Sequence, residues 1–287
     1  MLTRIPILAL SLLFLATTAF GQVTLSHKIN EGETYKTKIT IKTDQKLLLG
    51  TMNRNNAQTV TVEQKSTVGK RGEDGKLTLT WETAMLTADI KLPEGMKVKF
   101  DAANPDANAA EGEVAKQILS QIRDNPKNSV KLVFDKKNEL ESPAEAKEPL
   151  AQQLAAIPTK SIKKGDTWEQ QIKMPLEGGQ LFTFKRKYTY EGETSKSTVD
   201  STRKVHKITA VDSDIVYSLT IPMAKVSKSD LKVADSKFSI LFDPEAGRAI
   251  ETSSLLRITG KFTISSMGVD EEGDLDLTLS NLAEEIK

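Results

Sequence analysis

The stretch EGETYKTKITIK, Glu31 to Lys42, reads as a turn followed by a strand. Tyr35, Thr37, Ile39 and Ile41 alternate with Lys36, Lys38, Thr40 and Lys42. Successive side chains of a strand point to opposite faces, so this spacing makes one apolar row and one cationic row and predicts a half-buried antiparallel strand. A similar phrase, KKGDTWEQQIKM, returns at Lys163 to Met174. Both begin with Gly, an acid, Thr and an aromatic, Gly32 to Tyr35 and Gly165 to Trp168, and each is followed later by KFD (Lys99 to Asp101) or LFDP (Leu241 to Pro244). We read the pair as the opening of two copies of a duplicated β meander, with Tyr35 and Trp168 as the first inward aromatics.

Working outward, the alternation runs through Val60 and Val62, turns at GKRGEDG (Gly69 to Gly75) and resumes with Leu77, Leu79, Trp81 and Met85. The apolar set then changes parity to Leu86, Ala88, Ile90 and Leu92. A slip of one residue within a continuous strand predicts a β-bulge or a sharp bend. PEG (Pro93 to Gly95) turns the chain into Met96, Val98 and Phe100. In the second half Phe182, Phe184, Tyr188 and Tyr190 share a parity, as do Ile215, Tyr217, Leu219 and Ile221. Further rows are Phe238, Ile240 and Phe242, then Ile258, Phe262 and Ile264, then Leu275, Leu277 and Leu279. Turn phrases separate them: EGG at Glu177, EGET at Glu191, DPEAG at Asp243 and DEEGD at Asp270. About a dozen strands joined by short connections imply an antiparallel sheet.

Two segments have helical spacing. EGEVAKQILSQIR places Val114, Ile118, Leu119 and Ile122 on one face. EPLAQQLAAIP has Pro149 at a natural first helical position, Leu150, Leu154 and Ile157 inward, and Pro158 as its stop. The expected fold is mainly β: two tandem, related antiparallel β meanders forming curved sheets, as an open barrel or a sandwich. Two short helices lie between or against them. The expected boundaries are 1–21 for a cleaved signal peptide, 22–142 for a first β-rich half with one helix, 143–160 for a short helix and connector, and 161–287 for a second β-rich half.

The opening MLTRIPILALSLLFLATTAFGQ has one charge at Arg4, an apolar run from Ile5 to about Leu15, and Ala19 and Gly21 where a signal peptidase reads. That run is short for a bilayer span. An exported chain is expected, periplasmic or extracellular, free of the membrane after cleavage. With no cysteine in 287 residues, it needs a large core in place of disulfides. The net charge of +1 gives no steering toward nucleic acid or an anionic membrane.

The chain offers little chemistry. His27, beside Val23, Leu25 and Ile29 on an expected first strand, and His206 in STRKVHKITAV read as half-exposed structural residues with lysine neighbours. The pairs Ser161/Lys164, Ser201/Lys204 and Ser229/Lys232 match S-x-x-K but fall in expected loops or strands, not at a helix start. DAANPDANAAEGE (Asp101 to Glu113) puts Asp106 and Gly112 where a calcium-binding EF-hand loop requires Gly and Glu, so it reads as a polar loop capping the next helix. VDEEGD (Val269 to Asp274) reads as a hairpin turn. The aromatic row of Phe182, Phe184, Tyr188 and Tyr190 reads as core. No catalytic, cofactor-binding or metal-ligating residue is assigned, no cofactor is expected, and ligand-binding residues are left open.

IPTKSIKKGDTWEQQIKMP (Ile157 to Pro175), with GETY near the start and LFDPEAGR (Leu241 to Arg248) later, resembles a family of exported bacterial β-rich proteins classed as a domain of unknown function. That resemblance implies export, a β-rich fold and duplication, and brings no activity with it. A looser likeness is to the open half-barrels of periplasmic lipoprotein carriers, which hold acyl chains on a curved sheet. The expected function is an exported, non-enzymatic binding protein of the bacterial cell envelope holding an apolar or lipid-like ligand on a curved β-sheet. The alternative is a structural or protein-interaction module without a small ligand. The expected partners are an apolar ligand or an envelope protein, with no nucleic acid.

Overall fold

A computed structural model describes residues 22–124, 129–142, 156–176, 179–197, 202–219 and 224–287. The first group of strands is β1 (Thr34–Leu49), β2 (Met52–Val68), β3 (Leu77–Lys91), β4 (Lys97–Asp101), β5 (Ala109–Glu111), β6 (Ser129–Phe134) and β7 (Leu140–Ser142), with helix α1 (Glu113–Asp124) between β5 and β6. The second is β8 (Thr167–Leu176), β9 (Gln180–Ser197), β10 (Thr202–Leu219), β11 (Ala224–Ser229), β12 (Lys232–Asp243), β13 (Arg248–Ser266) and β14 (Val269–Ile286). These 14 strands make one antiparallel sheet that does not close into a barrel. Its main path is β5-β4-β3-β2-β1-β14-β13-β12-β10-β9-β8. The expected all-β antiparallel class holds, and the two groups are one sheet because the first strand pairs with the last, from Lys36 opposite Ile286 to Leu49 opposite Gly273.

The parity slip is a bulge, as the spacing predicts. Glu63 faces Met85 and Gln64 faces Thr83, which leaves Ala84 unpaired. Leu79 and Ala88, of opposite parity, therefore point the same way, toward Val68 and Val60 of β2. Two other expectations change. EGET at Glu191 is not a turn but lies inside β9, where Lys207 pairs with Gly192 and Ile208 with Tyr190, so Glu191 is bulged. Gly192 has φ 99°, which glycine adopts without a steric cost, and it served the bulge where the phrase resembled a turn. The acidic run at Val269 starts β14, and the turn before it is Met267–Gly268.

The segment 22–30 is not a sheet strand. Among its residues only Val23 makes a bridge, to Ile162, while Lys28 donates its backbone N–H to the Gly247 carbonyl. Its alternating apolar residues reach across the sheet as a strap: Leu25 packs with Ile162, Tyr190 and Phe242, and Ile29 against the cluster of Val68, Leu77 and Leu132. On α1 three of the four expected residues face the sheet, with Leu119 buried and Ile118 and Ile122 packed beside it, while Ala115 is buried where Val114, 50 % exposed, was expected. Tertiary packing against Val98 and Phe100 selects the small alanine for the closest approach. The expected second helix falls mostly within 143–155, outside the described residues, and Ala156 and Ile157 at its end are buried in a turn.

Four apolar clusters lie on one face of the sheet. β10 pairs with β12 only from His206 to Ala210, although it runs on to Leu219. Past Ala210 the two strands part, and Tyr217 reaches Phe262 of β13 with ring centroids 5.2 Å apart while stacking on Phe182. Leu256, Ile258, Leu275 and Leu277 complete that cluster. By contrast, β1, near the middle of the sheet, has no buried side chain. The packing predicts unequal costs for similar truncations. Ile258→Ala, at a fully buried position, costs about 2–5 kcal/mol in chemical denaturation, and Ile41→Ala less than about 1 kcal/mol.

Candidate functional site

At the middle of the sheet, apolar side chains of the inner face meet solvent. Register places Ile41 between Val60 of β2 and Asn281 of β14, and Ile39 between Val62 and Ala283. Beyond β14 the rows continue as Ser254 and Thr252 of β13. These are half-buried, apart from Ile41, which is 40 % exposed. α1 covers the sheet at Ala88, Val98 and Phe100, and the strap covers it at Tyr190, Ile208 and Phe242, so the strip between them is flanked on both sides by packed core. The side-chain carbonyl oxygens of Asn56 and Asn281 are buried without a hydrogen-bond partner among the described residues. By register both residues belong to this face, so the apolar strip is accompanied by two acceptors. An apolar body with an O–H or N–H donor is the chemistry that such a surface complements.

Two open grooves lie elsewhere. One of about 380 Å³ is on the outer face, with Asp89, Thr59, Lys42 and Ser280 in one cross-strand row and Lys91, Ala57, Asp44 and Thr278 in the next. Its mixed charges and small floor differ from the apolar cavity expected on the inner face. The other, about 320 Å³, is lined by Glu169, Gln171, Lys185, Asp214 and Val216 at the β8 side of the sheet.

Charged side chains gather where the ends of several strands meet. Arg248, at the start of β13, contacts Glu33 at 2.5 Å and Glu285 at 2.8 Å, and its guanidinium lies 4.2 Å above the Tyr35 ring. Glu285 also receives Arg203 at 2.9 Å, and Arg203 approaches Asp243 at 3.5 Å. Asp243 in turn accepts the N–H groups of Glu245 and Ala246, closing the turn that the phrase LFDPEAGR encodes. A second pair is deeper: Arg186 grips Asp212 with contacts of 2.7 and 3.0 Å, stacked 4.3 Å over Phe238, with the Asp212 side chain 1 % exposed. In both arrangements each charge has an opposite partner.

The residues weighed for chemistry take structural places. His27 is exposed and sets its ring edge against Phe242, 5.6 Å between centroids. His206 is not half-exposed but 8 % exposed, with the Tyr190 hydroxyl 2.6 Å from Nδ1. It pairs across the strands with Phe242, so the fold brings both histidines to one phenylalanine, which spacing in the sequence does not signal. Ser161 shares a hydrogen bond with Thr24, Lys164 lies over Gly192, and Ser201 is outside the described residues. Asp101 accepts the N–H groups of Ala103 and Asn104 and holds its own loop. Trp168 stacks on Tyr188 at 5.4 Å, so it and Tyr35 are inward as expected, though only half-buried. Among the described residues no three acidic, histidine or cysteine side chains converge as a metal site.

Burial pushes the His206 imidazole below its ordinary value, against an opposing pull from Glu193. The unfolded chain then binds the proton more readily, so stability falls as pH drops through about 6.5 and the loss levels off below the folded value. Denaturation midpoints are expected to decline between neutral pH and about pH 5, and His206→Gln to reduce that decline. No protein-family model matches the chain, and no curated protein matches it.

Proposed function

We propose that this chain is a non-enzymatic binding protein of the bacterial cell envelope that holds an apolar or lipid-like ligand on the inner face of its central strands. The single observation behind this reading is β1: a strand in the middle of a 14-stranded sheet with no buried side chain, whose inward row still carries Ile39 and Ile41. Leaving such a row half in water costs roughly 25 cal/mol for every Å² of apolar surface, and a ligand lying along it would recover that. The partnerless acceptors of Asn56 and Asn281 support a ligand that also donates a hydrogen bond. Export is part of the proposal and rests on the leader-like opening of the sequence, and the duplication of the two β-rich halves rests on their shared phrases.

The experiment is titration of the delipidated protein with a fluorescent fatty acid, alongside native mass spectrometry of gently purified material. Saturable binding and co-purified lipid are expected. Ile41→Lys is expected to weaken binding tenfold or more, about the worth of one buried aliphatic side chain, with little change in stability because Ile41 is already exposed. Ligand-free spectra with no saturable binding would favour the module that contacts a protein partner and has no small ligand.

A further inference from the structure

β8 is the long edge of the sheet. It pairs with β9 on one side, and none of the described strands lies on its other side. At the far end of the path the edge is β5, with 3 residues against 10 in β8. An edge of that length offers a row of N–H and C=O groups to another strand. Its sequence, TWEQQIKMPL, contains Pro175, which has no N–H. Proline is accommodated in a sheet where the missing N–H would face away from the neighbouring strand. Alternate residues of an antiparallel strand bond to opposite sides, so Pro175 puts the outward backbone groups on the odd positions Thr167, Glu169, Gln171 and Lys173. Their side chains are exposed, and Trp168, Gln170, Ile172 and Met174 are half-buried.

Two copies of β8 laid antiparallel about Gln171 set Glu169 of each molecule opposite Lys173 of the other, and Trp168 opposite Met174 on the inner face. Centring on residue 170 or 172 instead loses the charge match, and an odd shift turns the inner face outward. We propose that the chain forms a two-fold symmetric dimer by pairing β8 with β8 of a second copy, antiparallel and centred on Gln171, so that one sheet runs through both molecules. This does not depend on the ligand reading.

The chain has no cysteine, so a single one can report the register. In Gln171→Cys the two thiols lie on the axis with Cα atoms about 5.5 Å apart, within disulfide reach. Mild oxidation is expected to give a covalent dimer. Glu169→Cys, whose symmetry mate is displaced by about 13 Å along the strand, is expected to stay monomeric under the same conditions. In sedimentation velocity the unmodified protein is expected to run as a dimer. Lys173→Glu, with circular dichroism confirming the fold, weakens association about tenfold or more by facing two glutamates at each of the symmetric pairs. The double variant E169K/K173E restores it. A protein that stays monomeric at high concentration, equal crosslinking at 169 and 171, or no recovery in the double variant would overturn the proposal.

Discussion

The ladder between β1 and β14 is the connection on which the architecture depends. Along the main path it is the one strand pairing that joins the strands before α1 to those after β8, with 14 residues of β1 opposite 14 of β14. The other ties between the two groups are narrower: the strap carrying Leu25, the single bridge from Val23 to Ile162, and the ion pair from Arg248 to Glu33. Backbone hydrogen bonds carry much of this joint, because no side chain of β1 is fully buried. Core forms where a second layer lies over the sheet: α1 over Val98 and Phe100, the strap over Tyr190 and Phe242, and Tyr217 of β10 against Phe262 beside Leu275 and Leu277, while Ile39 and Ile41 stay partly in solvent.

That distribution explains where polar groups concentrate. Arg248, Glu33, Glu285 and Arg203 sit near one end of the joint and bind the start of β1, the start of β13, the end of β14 and the start of β10 to each other. Such a cluster stabilises a position more than it adds net energy, because partial desolvation offsets much of the Coulomb attraction. The Arg186–Asp212 pair holds β9 to β10 beside the place where β10 parts from β12. At both sites the charge lies beside an aromatic ring, Tyr35 or Phe238, which accepts the flat guanidinium without competing for its hydrogen bonds.

Much of this was legible from local pattern. The parity rows identified many of the inward residues, such as Leu79, Phe182, Tyr188, Ile258 and Leu277, and the slip at Met85 and Leu86 marked the bulge at Ala84, although Met85 itself, paired with Glu63, falls on the outer face. Partner choice is different. Nothing in Lys36 to Leu49 names residues 273–286 as its neighbours, since many amphipathic strands would satisfy the same backbone groups. Gly192 misled for a physical reason: a positive φ serves a bulge as well as a turn. The strap misled because Val23, Leu25 and Ile29 alternate like a strand while using their apolar side chains to cover other strands. The candidate strip could be read in part. Ile39 and Ile41 stand out as inward, but their half-exposure follows from the extents of α1 and the strap, which no single segment records.

The pairing of the first strand with the last also sets an order in time. β1 is among the earliest sheet residues to emerge during synthesis, and its second neighbour is the final strand of the chain. β2 can close onto β1 at once through a tight hairpin, whereas the other edge of β1 has to wait for more than two hundred residues to follow. Until then Lys36 to Leu49 present an open edge to any other strand nearby. The alternating lysines at 36, 38, 42 and 46 on that strand hinder such pairing, so their charge protects the unfinished chain more than the finished one.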